Sequence, residues 1–161
     1  MRAARLAAVL AALLAVVAIP GTAHADVTQQ FQADSGDSCR YGVTSGTLTW
    51  RSGSTLPVAV FRVDVAGKLT DRPLPSDPST VCRDDGFYSR ATFVAYSGTI
   101  EVDREARVAN NSAVSFTFTL GANSTTRGIT HVVIQVCRSP VSTLPPSYCG
   151  AAVRYTAPSA A

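Results

Sequence analysis

The sequence predicts an all-β domain, an antiparallel β-sandwich of about eight strands with Greek-key connections. Three observations carry that expectation. Apolar and polar residues alternate with a period of two through most of the chain, no sustained helical periodicity follows residue 25, and Gly, Asn, Ser or Pro clusters separate most of the alternating runs. A strand with one apolar face needs a second layer to cover it, so two sheets should close over a shared core, with a barrel as the alternative.

Residues 1–25 are of a different kind and read as a cleaved signal peptide. Arg2 and Arg5 form a short basic segment, Leu6 to Ile19 is apolar without a charge, and Ala23-His24-Ala25 places small residues at both positions of a cleavage site. The apolar run falls short of the roughly 20 residues that span a bilayer. Asp26 rather than a cysteine would follow the cut, which disfavours a lipid anchor. The expectation is a released, extracellular protein with one domain over 26–161, no membrane insertion after cleavage, and a loose tail at 157–161.

Strands are expected in order along that domain. Val27 to Phe31 and Val43 to Trp50 come first. Ala59, Phe61, Val63 and Val65 then form one face, opposed by Arg62 and Asp64. Ala91 to Tyr96 follows, and Ile100 and Val102 alternate with Glu101 and Asp103. The clearest case is Ala113 to Leu120, where Val114, Phe116, Phe118 and Leu120 oppose Ser115, Thr117 and Thr119, as in a strand with one wet side. Asn110-Asn111 before it reads as a turn, because Asn tolerates left-handed backbone. Val132, Ile134 and Val136 alternate with His131, Val133 and Gln135, and Val153 and Tyr155 close the series. One helical turn is expected where Asp77 caps, Pro78 starts and Gly86 closes. Trp50, Phe61, Phe93, Phe116 and Phe118 are the expected aromatic core. In strand count and alternation alone the chain resembles immunoglobulin-like domains, a likeness of fold that carries no function.

Four cysteines, an even number, imply disulfides in an exported domain. The preferred pairing is Cys39–Cys82 and Cys137–Cys149, the second closing a short loop with Pro140, Pro145 and Pro146, which fit poorly inside strands. Zinc is disfavoured, since no close C-x2-C pair exists.

Charge excludes further classes. Loss of Arg2 and Arg5 leaves twelve basic against eleven acidic residues, a balance near +1. The arginines are scattered singly rather than gathered in a patch, which argues against nucleic acid. His131 is the one histidine after residue 25 and lies on the polar side of its strand, with no G-x-S-x-G elbow anywhere to raise a serine. Glu101, Asp103 and Glu105 at period two suit an exposed strand face better than a glycosidase pair. Asp84-Asp85-Gly86 suits a turn better than a calcium loop. Asn110-Asn111-Ser112 and Asn123-Ser124-Thr125 match the N-x-S/T acceptor and support exposed loops. No catalytic, cofactor-binding or metal-binding residue is therefore nominated.

What remains is a pair of stiff segments, Asp71 to Pro78 and the arc from Arg138 to Tyr148. A cross-linked, proline-rich loop loses little entropy on docking. Arg138, Ser139, Leu144 and Tyr148 are the candidate partner-binding residues. The expected function is a secreted, non-enzymatic binding module for a protein or carbohydrate partner. The alternatives are a proteinase inhibitor presenting the Cys137–Cys149 loop and a passive structural or envelope-associated protein.

Overall fold

A computed structural model describes residues 26–53, 59–77, 82–121, 128–143 and 145–158. Among the described residues the alternating runs become nine strands: β1 (Val27–Asp34), β2 (Gly42–Ser52), β3 (Val60–Asp71), β4 (Phe87–Ser97), β5 (Ile100–Ala109), β6 (Ala113–Gly121), β7 (His131–Pro140), β8 (Tyr148–Cys149) and β9 (Val153–Thr156). All pairings are antiparallel. One sheet has the order β1-β2-β3-β6. The other runs β5-β4-β7, with β8 and β9 both pairing with β7 along different stretches. Among the described residues no strand pairing joins the two sheets, and they share one core, a sandwich-like arrangement. Three consecutive strands lie side by side in the first sheet, whereas the immunoglobulin order sends its third strand to the opposite sheet.

One core joins the layers. Leu48, Trp50, Val63, Val65, Leu69 and Leu120 from the first sheet meet Ala91, Phe93, Ala95, Val132, Ile134 and Val136 from the second, all essentially excluded from solvent. Phe93 is the hub, with ring centroids 5.7 Å from Phe31, 5.3 Å from Phe116 and 5.1 Å from Phe118 in edge-on geometries that suit the ring quadrupoles. Gly46 and Gly67 sit opposite each other in the β2–β3 register and leave room for this cluster. A Cβ on Gly67 would meet the Phe31 ring at 2.9 Å and the Phe116 ring at 3.1 Å.

The free edge of β1 is capped from the opposite layer. The Tyr155 hydroxyl accepts from the Gln32 N–H at 2.8 Å and donates to the Gln32 carbonyl at 2.9 Å, which occupies groups that could otherwise recruit another strand. At the other side β5 turns tightly out of β4 through Gly98, whose φ of 62° is costly for a residue with a Cβ. Asn111 adopts φ 44°, the left-handed turn expected of it.

Three expectations change. Phe61 is not in the core. The β2–β3 register shifts between Arg51 and Ser52, which face Arg62 and Val60, so Phe61 is the extra residue of a bulge. Val60 and Val63 point inward while Phe61 lies half-buried over Gly53. A second shift, between Ala95 and Tyr96, which face Asp103 and Glu101, makes Val102 the extra residue between those two acids. Ile100 is consequently exposed at 48%. The helical turn is also revised at its described ends: Asp77 accepts from the Leu74 N–H at 2.8 Å and its own N–H donates to the Leu74 carbonyl at 2.9 Å, closing a turn over 74–77. Residues 82–85 are not helical and Gly86, at φ 72°, leads into β4; residues 78–81 lie outside the described residues.

Candidate functional site

The inward rows of three strands end in polar residues at the same end of the molecule. On β7 the series Val132, Ile134, Val136 continues to Arg138; on β3 Val63, Val65, Leu69 continues to Asp71; on β4 Phe93 and Ala91 lead back to Ser89. All three polar residues are fully buried. Arg138 pairs with Asp71 and donates to Ser89 Oγ at 2.9 Å and to Asp85 Oδ1 at 2.5 Å. Asp71 also accepts from the Ser89 hydroxyl and from the Asn111 N–H at 2.8 Å. The guanidinium lies 4.9 Å from the centre of the Tyr41 ring. Burial lowers the Arg138 pKa from its ordinary value, but a guanidinium so partnered stays charged. A buried ion of this kind is tolerated only because opposite charge and hydrogen bonds replace its water.

Around this cluster the loops are tied down. The Cys39–Cys82 disulfide joins the β1–β2 loop to the segment entering β4, and Cys137–Cys149 joins β7 to β8 at residues that face each other in the ladder. Both bridges match the expected pairing. Ser35, itself buried, exchanges hydrogen bonds with Gly42 and donates to Asp37. Burial pushes the Asp37 carboxyl up, but the Ser35 hydroxyl and the Tyr41 N–H outweigh it and the net shift is downward. The Tyr41 hydroxyl donates to the Arg83 carbonyl at 2.9 Å. Burial raises Tyr148, as does the Asp37 carboxylate, so this phenol keeps its proton and can donate.

The nominated loop residues divide. Arg138 is not presented: it sits in β7 with no exposed surface, as the next inward position of an apolar row. Ser139 is half-buried and its hydroxyl accepts from Ser147 at 3.1 Å. Tyr148 is 37% exposed, packs on Phe87 with centroids 5.7 Å apart, and faces Arg138 in the register. Leu144 lies outside the described residues, as does Asn123-Ser124-Thr125. Asn110, of the other acceptor motif, is exposed.

The chemistry-bearing residues elsewhere are occupied. His131 does point to the outer side of its sheet, yet it is 6% exposed, because the Tyr96 ring stacks on it 4.9 Å away and nearly parallel. Its Nδ1 lies 3.0 Å from the Thr130 hydroxyl. Burial lowers its pKa, with help from the Arg154 charge. Glu101 is held by Arg104, Glu105 by Arg107, and Asp103 accepts from the Gly121 N–H at 2.8 Å. The bulge at Val102 has put Glu101 out of phase with the other two acids. Asp84 and Asp85 cap backbone N–H groups of Gly86 and Phe87, each at 3.0 Å, which is ordinary turn chemistry.

A shallow recess of about 420 Å³ opens beside the disulfide end, on the outer face of the first sheet. Gln32, Ser45, Lys68 and Thr70 form its floor, and Arg40 and Arg72 its rim. Its cations are the signal that scattered spacing in the sequence conceals, since the fold brings Arg40 of the β1–β2 loop beside Lys68 of β3 and Arg72 just past its end. No family model, curated protein or solved structure matches the chain.

Proposed function

We propose that this chain is an exported, non-catalytic binding domain that engages its partner at the disulfide-bearing end. The single observation that carries the reading is the buried Arg138–Asp71–Ser89 cluster, with a disulfide on either side of it. It fixes the loop 35–41 and the segment 82–86 onto both sheets. Loops set in place before binding cost little to dock, and recognition residues on a rigid scaffold are the usual means by which such domains bind. Tyr148 offers an amphipathic ring on this end. Two disulfides are compatible with life outside the cell. Cleavage after Ala25 belongs to the same proposal.

The non-catalytic part is supported by where the reactive side chains go. His131 is stacked against Tyr96 and bonded to Thr130, with no serine or cysteine nucleophile paired to it among the described residues. The test combines two assays on protein recovered from culture medium, with N-terminal sequencing to look for Asp26. Thermal-shift titration against soluble polysaccharides and secreted proteins should show a saturable rise in Tm that Tyr148→Ala weakens. Turnover of glycoside, ester or peptide substrates that disappears in His131→Ala or Glu101→Gln/Asp103→Asn would overturn the reading.

A further inference from the structure

We infer that the recess on the outer face of the first sheet is a binding site for an anionic sugar, a saccharide carrying a carboxylate or phosphate group. This rests on the binding-domain reading and adds its ligand class.

The recess is built by register. Gln32 faces Ser45 and Ser45 faces Lys68 across three neighbouring strands, while Thr70 faces Val43 one position nearer the loops. Strands lie about 4.8 Å apart and same-face neighbours along a strand roughly 7 Å apart, so these side chains share a patch the size of a sugar ring. Arg40 comes from the loop that Cys39–Cys82 staples, and Arg72 follows the end of β3. The Arg72 N–H donates to the Tyr41 carbonyl at 2.8 Å, which locks the two rims together.

Charge points the same way. The lining holds three cations and no carboxylate. Arg40 is steered by Asp34 at 3.3 Å and Arg72 by Asp77 at 2.7 Å, but each guanidinium has five N–H donors and these pairs leave most of them available. Among the described residues no hydrogen bond or ion pair engages the Lys68 ammonium or the hydroxyls of Ser45 and Thr70. One unpaired ammonium, two guanidiniums with donors to spare, free hydroxyls and a primary amide suit a ligand that carries one anionic group and several hydroxyls. The volume lies in the range of small-molecule sites and exceeds what a bare ion fills.

The experiment is a 15N–1H NMR titration of the protein with glucuronic acid, glucose 6-phosphate, glucose, inorganic phosphate and a short oligoglutamate. The two acidic sugars should give saturable shifts at Ser45, Lys68 and Thr70. The arm that binds more tightly identifies carboxylate or phosphate as the preferred group. Lys68→Gln should weaken that binding about tenfold, the usual worth of one charged hydrogen bond. Arg154→Gln, an equal charge change on the opposite sheet's outer face, should leave it unaltered. Inorganic phosphate or oligoglutamate binding as tightly as the sugars would overturn the assignment, as would shifts that Lys68→Gln does not weaken or an absence of saturable shifts. Binding of another ligand at Tyr148 with the recess silent would overturn this inference alone, whereas hydrolysis of glucose 6-phosphate to glucose and phosphate would overturn the binding-domain reading as well.

Discussion

Replacing Asp71 with Asn removes the one fully buried carboxylate facing Arg138 while keeping the side-chain shape. Breaking a buried pair on one side strands the other charge, which costs about 3–5 kcal/mol. Two features place the value within that range. Asp85 still approaches Arg138 at 2.5 Å and is partly solvated, which limits the loss. Against that, Asp71 also serves Ser89 through Oδ1 and the Asn111 N–H through Oδ2, and an asparagine keeps an acceptor oxygen for only one of them. For a domain of this size the cost corresponds to a fall in Tm of roughly 10–20 °C. The assay is urea unfolding followed by tryptophan fluorescence, in which the midpoint should fall with the slope unchanged. The control is Arg51→Gln, whose partners Asp26 and Asp64 lie on the solvent-facing side and whose loss should lower the midpoint far less than Asp71→Asn does. If Asp71→Asn fails to fold, Ser89→Ala is the gentler probe, expected to cost about 1–3 kcal/mol by leaving buried groups short of a partner. Adding Arg138→Met to Asp71→Asn should recover a large part of the loss, since an apolar replacement of the pair removes the stranded charge. An Asp71→Asn variant no less stable than Arg51→Gln would refute the claim that this cluster organises the end of the molecule.

Three further outcomes follow from the packing and charge. Converting Cys39 and Cys82 to alanine should cost about 4 kcal/mol on the chain-entropy model, given a sequence separation of 43, and is read by the same unfolding curves. Phe93→Ala should cost about 3–5 kcal/mol and Phe61→Ala only about 1, since one ring is the hub of the core and the other lies at a bulge. Equal costs would mean that the register drawn for β2 and β3 is wrong. His131 has a folded pKa below that of free histidine, so between the two values the unfolded chain binds the extra proton. Its contribution is therefore complete above about pH 6.5 and is lost as pH falls through the window beneath. Tm measured at stepped pH should show a decline below that point that His131→Gln abolishes.

Strand positions were legible because an alternation of apolar and polar residues has one structural solution when one side must be dry. Val114, Phe116, Phe118 and Leu120 illustrate this, and all four pack on or in the core. Bulges were not legible, since one extra residue inverts the parity of all that follows without altering composition. Phe61 and Ile100 were misplaced for that reason. Arg138 looked like an available surface cation because a sequence does not show what lies across the sheet, and Asp71 is distant in the chain. A signal was nonetheless present: Val132, Ile134 and Val136 extrapolate by one step to Arg138, and Val63, Val65 and Leu69 to Asp71. His131 was assigned its correct side, but its covering partner Tyr96 comes from a neighbouring strand. The cysteine pairing was legible from proline placement and loop length. The recess was not, because Arg40 is far along the chain from Lys68 and Arg72 and only the pairing of β2 with β3 brings them together.

The rigidity of the disulfide-bearing end is best measured by 15N relaxation on the exported protein. Backbone order parameters for residues 35–41 and 82–86 should match those of the strands, near about 0.85, if Arg138 and Asp71 hold these segments to both layers. Values below about 0.6 there, alongside ordered strands, would contradict a surface set in place before its partner arrives.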